Sequence, residues 1–359
     1  MTVPFNRQGG LTLVPLPGFE AMAETVAARI RAIGGEAGAD RWDTPVDIAL
    51  PIFGTRASGE PFLQFSKRHV GGHDCVLLGS GPGTWEALGQ MQMALRYLAA
   101  RRAGRIALAT GYFPLSRSDK DEGGLELALP RFIIDQLISA SGGPNGSLDR
   151  IISVDLHAPQ VVMGGTTGLV TELSMVGRVV RHAVQAECAA GEPIVVAFPD
   201  DGGQKRVGGM LDALEQDLGI PVPSVCGVKR RKSSTEASLL RVFGPVESIA
   251  GATVLCVDDE IATGGTNIAT ARAMKSQYGA RRVVAVVTHG VLCGDAAARF
   301  SAEDCPVDRI YCSDTIPVEG RLSLRPLIEA GRLVTVSWAN DLAWAIYGHH
   351  WDLSIREVR

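Results

Sequence analysis

Residues 254–267, VLCVDDEIATGGTN, carry the densest chemistry of the chain. An apolar run leads to the adjacent carboxylates Asp258 and Asp259, and Thr263-Gly264-Gly265-Thr266 then opens a helical pattern. Glycines let a backbone turn tightly and aim several N–H groups at one point. A helix N-terminus adds partial positive charge, which suits a phosphate. Two neighbouring carboxylates can accept hydrogen bonds from vicinal hydroxyls. Phosphate at one end and a diol at the other describe a ribose 5-phosphate. A bare G-G-T is an ordinary turn; the whole string carries the reading.

Other polar clusters follow apolar runs. His157 ends SVDLH, and Arg117, Asp119 and Lys120 lie in FPLSRSDK, residues 113–120. Asp200 lies in PDDGGQKR, residues 199–206, and Lys229 and Arg231 in VKRRKSSTEAS, residues 228–238. The last segment reads as a mobile polar loop. Taken singly, each has a plain structural reading: a histidine after a strand is usually structural, and a K-R-R run is usually a solvated face. GSGPGTWEALG, residues 79–89, lacks the spacing of a dinucleotide fingerprint and reads as a structural turn.

The elements that must position these groups are legible as a repeat. HDCVLLGS, GRIALATGYF, DRIISVDLH, PIVVAFPDD, ATVLCVDDE and RRVVAVVTHG are short buried-strand runs. Amphipathic stretches such as TWEALGQMQMALRYLAARRAG and NIATARAMKSQYGARR separate them. Strands alternating with helices predict an α/β fold with mainly parallel sheets and sites at the strands' carboxyl ends. SASGGPNGSLDR, residues 139–150, reads as a loop.

The 359 residues suffice for two domains at roughly 150 residues each. Lysine and arginine total 35 against 39 aspartates and glutamates, a net charge of −4. Such a chain is a poor nucleic-acid or membrane-surface binder. Its seven cysteines are scattered without a C-x-x-C pair. They read as reduced thiols, and the early arginine with a short, broken apolar start is no convincing signal peptide, so the expected address is cytoplasmic.

The string 254–267 resembles the phosphoribosyl-binding motif of type I phosphoribosyltransferases and of ribose-phosphate pyrophosphokinases. The order of SVDLH, FPLSRSDK, PDDGGQKR, KRR, Thr288-His289-Gly290 and SDTIP (residues 313–317) resembles the latter family. The resemblance implies two tandem phosphoribosyltransferase-like domains, each a mainly parallel sheet flanked by helices. The expected boundaries are 1–175 for an ATP-contacting domain and 176–335 for a sugar-phosphate domain. Residues 336–359 would pack back on the first. It implies an ATP-dependent diphosphokinase that makes phosphoribosyl pyrophosphate and AMP from ribose 5-phosphate.

The implied roles follow residue by residue. Lys229, Arg231 and His157 are catalytic; Arg117, Asp119, Lys120 and Glu60 bind ATP. Asp258, Asp259, Thr263, Gly264, Gly265 and Thr266 hold ribose 5-phosphate, and His157 and Asp200 hold Mg2+. A homo-oligomer, dimer or hexamer, is implied too. The chain departs from the family at Ala262, where an aspartate is usual, at Ser118, where a glutamine is usual, and at Arg56-Ala57-Ser58-Gly59-Glu60, which lacks an aromatic residue and one carboxylate. These departures leave open an acceptor such as ADP-ribose, or a non-catalytic nucleotide-binding paralog.

Overall fold

The computed structural model describes residues 9–36, 42–67, 69–81, 83–120, 124–189, 191–231, 237–318 and 320–355. Two compact units emerge. One holds the residues up to Leu173 together with those from Trp338 onward; the other is Ser174–Ser337.

In the first unit the chain runs β1 (Leu11–Pro15), α1 (Glu20–Gly35), β2 (Val46–Ile48), β3 (Pro51–Thr55), β4 (Pro61–Phe65), β5 (Asp74–Leu78) and α2 (Trp85–Ala100). It continues through β6 (Arg105–Ala109), α3 (Leu129–Ser141), β7 (Arg150–Val154) and β8 (Val170–Leu173). A six-stranded parallel sheet takes the order β2-β1-β5-β6-β7-β8. β1 and β5 are buried along their whole length. Their continuous apolar character follows from being covered on both faces. β3 and β4 form a separate antiparallel hairpin.

The second unit begins with α4 (Val176–Glu187), β9 (Ile194–Phe198), α5 (Asp201–Val207), α6 (Met210–Leu218), β10 (Ser224–Arg231), β11 (Ala237–Phe243), β12 (Thr253–Ile261) and α7 (Gly265–Tyr278). It ends with β13 (Arg282–Gly290), α8 (Ala296–Ser301), β14 (Arg309–Ser313), α9 (Arg325–Glu329) and β15 (Leu333–Val336). The sheet order is β11-β10-β9-β12-β13-β14-β15, parallel except for β11 at the edge. β12 is central and buried at all its positions.

Helix α10 (Ala339–His350) returns to the first unit and packs along α1. Arg29 Nε donates to Asn340 Oδ1 at 2.7 Å, and the Trp42 N–H donates to the Tyr347 hydroxyl at 2.6 Å. The Trp42 and Trp351 rings lie 4.8 Å apart. Beneath them is a buried charge network. Arg105 donates to both oxygens of Asp74, at 2.9 and 2.6 Å, and to the carbonyls of His349 and His350. His350 Nδ1 lies 2.7 Å from Asp74 Oδ2.

Two local expectations need correction. The segment 139–150 is not all loop: α3 continues through Ser141, whose hydroxyl donates to the Leu137 carbonyl one turn back. Lys229 and Arg231 do not sit on a loop: β10 extends through Arg231 and pairs antiparallel with β11, Arg231 opposite Ala237. Polar composition suggested a loop there, but a cross-strand partner supplies the backbone hydrogen bonds that make a strand. The register shifts between Val228 and Lys229, which marks a bulge. Residues 232–236 of that segment lie outside the described residues. Among the described residues no helix is long and apolar enough to cross a membrane.

Candidate active site

The second unit places the sugar-phosphate candidates at the carboxyl end of β12. The strand runs two residues past Asp259, to Ile261, so the paired aspartates are strand residues rather than its terminus. Asp258, Asp259 and Glu260 are all buried. Asp258 Oδ1 accepts the Asp259 N–H at 3.0 Å. The chain then turns through Ala262 and Thr263 into α7, whose N-cap is Gly264 at φ 76°. Only glycine fits: a Cβ there would stand 2.4 Å from Phe300 Cε2. On the next residue, a Cβ at Gly265 would lie 3.6 Å from the Arg299 guanidinium and 4.0 Å from Thr263 Oγ1. The first N–H groups of α7, which no carbonyl within the helix satisfies, therefore follow a tight glycine turn. Thr263 is exposed beside them.

Asp200 lies two residues after β9, the neighbour of β12, and caps α5 by accepting the Gly203 N–H at 2.9 Å. A Cβ at Gly203 would meet Asp258 Oδ1 at 2.9 Å and Asp200 Oδ1 at 3.8 Å. The glycine thus keeps two carboxylates close together. Carboxylate oxygens are the hard donors that a divalent cation such as Mg2+ takes. On β13, next to β12, His289 Nδ1 lies 2.9 Å from Thr315 Oγ1, and Ser313 Oγ donates to the Thr288 carbonyl.

The first unit places its candidates in segments that follow its strands. His157 follows β7, just after Asp155, which takes the left-handed φ of 34°. Glu172 steadies this turn: its Oε1 accepts the Leu156 N–H at 2.7 Å. Burial raises the Glu172 carboxyl above its ordinary value, against that hydrogen bond, and the charge of Asp155 adds to the rise. Arg117, Asp119 and Lys120 follow β6, which pairs with β7. Asp119 lines a mostly apolar cavity of about 230 Å³ with Arg131 and Gln160. Glu60 closes the β3–β4 turn, accepting from Ser58 Oγ at 2.8 Å, and Arg56 stands over the Phe62 ring. An aromatic partner for this turn therefore comes from the following strand, beyond residues 56–60, which hold none.

The structure thus brings Asp200, Asp258 and Gly203 together, and Thr263 to Gly265 with Arg299 and Phe300. Arg299, Phe300 and Glu172 escaped the sequence reading. Phe300 sits in an ordinary amphipathic pattern, and nothing in that pattern points to a glycine 36 residues earlier.

The phosphoribosyl transferase domain family matches residues 172–315. A ribose-phosphate pyrophosphokinase from Rhodopirellula baltica is 33% identical over 258 residues, covering 71% of this chain and 73% of that protein. The chain belongs to the ribose-phosphate pyrophosphokinase family. The family member from Ralstonia nicotianae is 26% identical over 273 residues, 76% of this chain and 80% of that one. The crystal structure of phosphoribosylpyrophosphate synthetase from Mycobacterium smegmatis superposes with a TM-score of 0.74 at 26% identity, over 96% of this chain and 99% of that one. The family's two mainly parallel sheets flanked by helices are those described above.

Proposed function

We propose that the protein is an ATP-dependent ribose-phosphate diphosphokinase: it transfers the β,γ-diphosphoryl group of ATP to the anomeric hydroxyl of ribose 5-phosphate. The observation that carries this reading is the glycine turn at the start of α7, reached from the end of the strand that holds the buried Asp258 and Asp259. In the reaction the anomeric oxygen attacks the β-phosphorus. The bond from that phosphorus to the bridging oxygen of AMP breaks, AMP leaves, and the hydroxyl proton is lost.

The N–H groups of Thr263 to Thr266 bind the 5-phosphate, and Asp258 and Asp259 orient the ring hydroxyls. Arg117, Asp119, Lys120 and Glu60 bind ATP. Lys229 and Arg231 stabilise charge on the transferring phosphates. The carboxylate of Asp200 suits Mg2+, which when bound neutralises part of the triphosphate charge, and His157 acts with it as the family resemblance implies. Work of this kind is mostly alignment and charge compensation. The residues up to 175 carry the ATP-contacting segments, and 176–335 the sugar-phosphate turn. We place the enzyme in the cytoplasm as a homo-oligomer.

Incubation with ATP, Mg2+ and ribose 5-phosphate is expected to yield AMP and phosphoribosyl pyrophosphate by mass spectrometry. Absence of AMP with this sugar and with a panel of ribosyl phosphates would end the reading. Lys229→Ala is expected to lower turnover by about 100-fold or more while ribose 5-phosphate affinity changes only modestly. Full turnover in that variant would remove Lys229 from the catalytic set.

A further inference from the structure

The segment that follows β13 is held in an unusual way. Leu292 takes φ 44°, in the left-handed region that a leucine adopts only when its surroundings enforce it. Gly290, at the end of β13, is crowded: a Cβ there would lie 2.8 Å from Cys312 Sγ. Three consecutive carbonyls of this loop converge on one guanidinium. Arg321 Nη1 donates to Gly290 O at 3.1 Å, and Nη2 donates to Val291 O at 2.6 Å and Leu292 O at 2.8 Å. Burial lowers the Arg321 pKa. The loop then passes the constraint on. The Leu292 N–H donates to the Ile261 carbonyl at 2.9 Å, and the Cys293 N–H donates to the Ala262 carbonyl at 3.0 Å. Ile261 and Ala262 are the two residues immediately before Thr263.

We infer that Arg321 is a positioning residue for sugar-phosphate binding: it fixes the Gly290–Leu292 loop, and that loop fixes the entry to the Thr263–Thr266 turn. The inference rests on the assignment of that turn to the 5-phosphate. Ala262 has no polar side chain with which to tie the turn entry, so the tie runs through its carbonyl. A guanidinium suits the task because its rigid fork reaches several acceptors at once, whereas an ammonium on a flexible stem does not hold the same geometry.

The test measures ribose 5-phosphate affinity by calorimetry on the full chain, with ATP affinity and the thermal unfolding midpoint alongside. Arg321→Ala is expected to weaken ribose 5-phosphate about tenfold, the loss that one charge-assisted hydrogen bond represents, with ATP affinity unchanged. Added millimolar guanidinium ion is expected to recover part of the loss, and Arg321→Lys to fall between the two. Wild-type affinity in Arg321→Ala overturns the inference. So does an equal loss of ATP and sugar affinity without guanidinium rescue, because that is general unfolding. Should Arg321→Ala fail to fold, Arg321→Lys is decisive: weakened sugar binding supports the role, and unchanged binding overturns it. Wild-type protein that binds ribose 5-phosphate and releases no AMP overturns the proposed reaction, and the Arg321 role is then judged on binding alone.

Discussion

Gly264→Ala is expected to weaken ribose 5-phosphate binding about 100-fold while leaving the chain folded. Two costs act at one atom. The residue sits at φ 76°, where an alanine pays about 1–2 kcal/mol relative to the right-handed region. Its Cβ would also lie 2.4 Å from Phe300 Cε2 and 2.6 Å from Phe300 Cζ, well inside contact distance. The phenyl ring is buried, so it cannot swing away freely. The turn moves instead, and a displacement of about 1 Å in a binding turn is enough for a loss near 100-fold. The double variant Gly264→Ala/Phe300→Ala removes the clash and keeps the backbone strain, so it should regain part of the affinity. Titration of the three proteins with ribose 5-phosphate decides the matter. A single variant that binds like wild type would mean that the turn does not hold the phosphate.

Asp74→Ala should destabilise the first unit by about 3–5 kcal/mol, since it removes the one buried carboxylate that the mostly buried Arg105 and His350 share. The contrast lies within the same network. Asp352 also pairs with Arg105, at 2.6 Å, but its side chain is 61% exposed, so Asp352→Ala should cost no more than about 1 kcal/mol. Urea unfolding midpoints of the two variants provide the comparison, and equal effects would refute the buried-network account.

Acid acts on the same place. Burial tends to raise the Asp74 carboxyl, but hydrogen bonds from Arg105 and His350 outweigh it and hold it below its ordinary value of 3.8. Burial, with Arg105 nearby, lowers the His349 pKa from 6.5 to about 4. A histidine depressed in the fold takes up a proton more readily when unfolded. Its contribution is therefore whole above pH 6.5 and is lost as pH falls from 6.5 toward 4, up to roughly 3 kcal/mol. The Asp74 contribution is present above pH 3.8 and goes only below it. Thermal midpoints measured between pH 7.5 and 4.5 should fall in wild type and fall less in His349→Gln. Parallel curves would assign the acid sensitivity to other groups.

The strands and the glycine turn before α7 were legible because each is a local event. β5, β6, β7, β9, β12 and β13 announce themselves as apolar runs, since a parallel strand covered on both faces needs no alternation. The Thr263–Thr266 turn announces itself because its glycines, its acidic strand and its helix are contiguous. The arm carrying Lys229 was misread because its strand character depends on β11, a partner that no local pattern names. Arg321, Phe300 and Glu172 were silent for a related reason. Arg321 and Glu172 act on backbone groups 29–31 and 16 residues away, and backbone groups leave no trace in a sequence.

The return of α10 to the first unit fixes an order of events at the ribosome. The 164 residues Ser174–Ser337 are made after β8 and before α10, which at about 5–20 residues per second takes roughly 10–30 s. Throughout that interval the nascent first unit lacks the helix that covers α1, while the second unit can already close. The later half of the polypeptide thus matures first, and the earlier half waits, with an uncovered face that a chaperone could recognise, for its final helix to emerge.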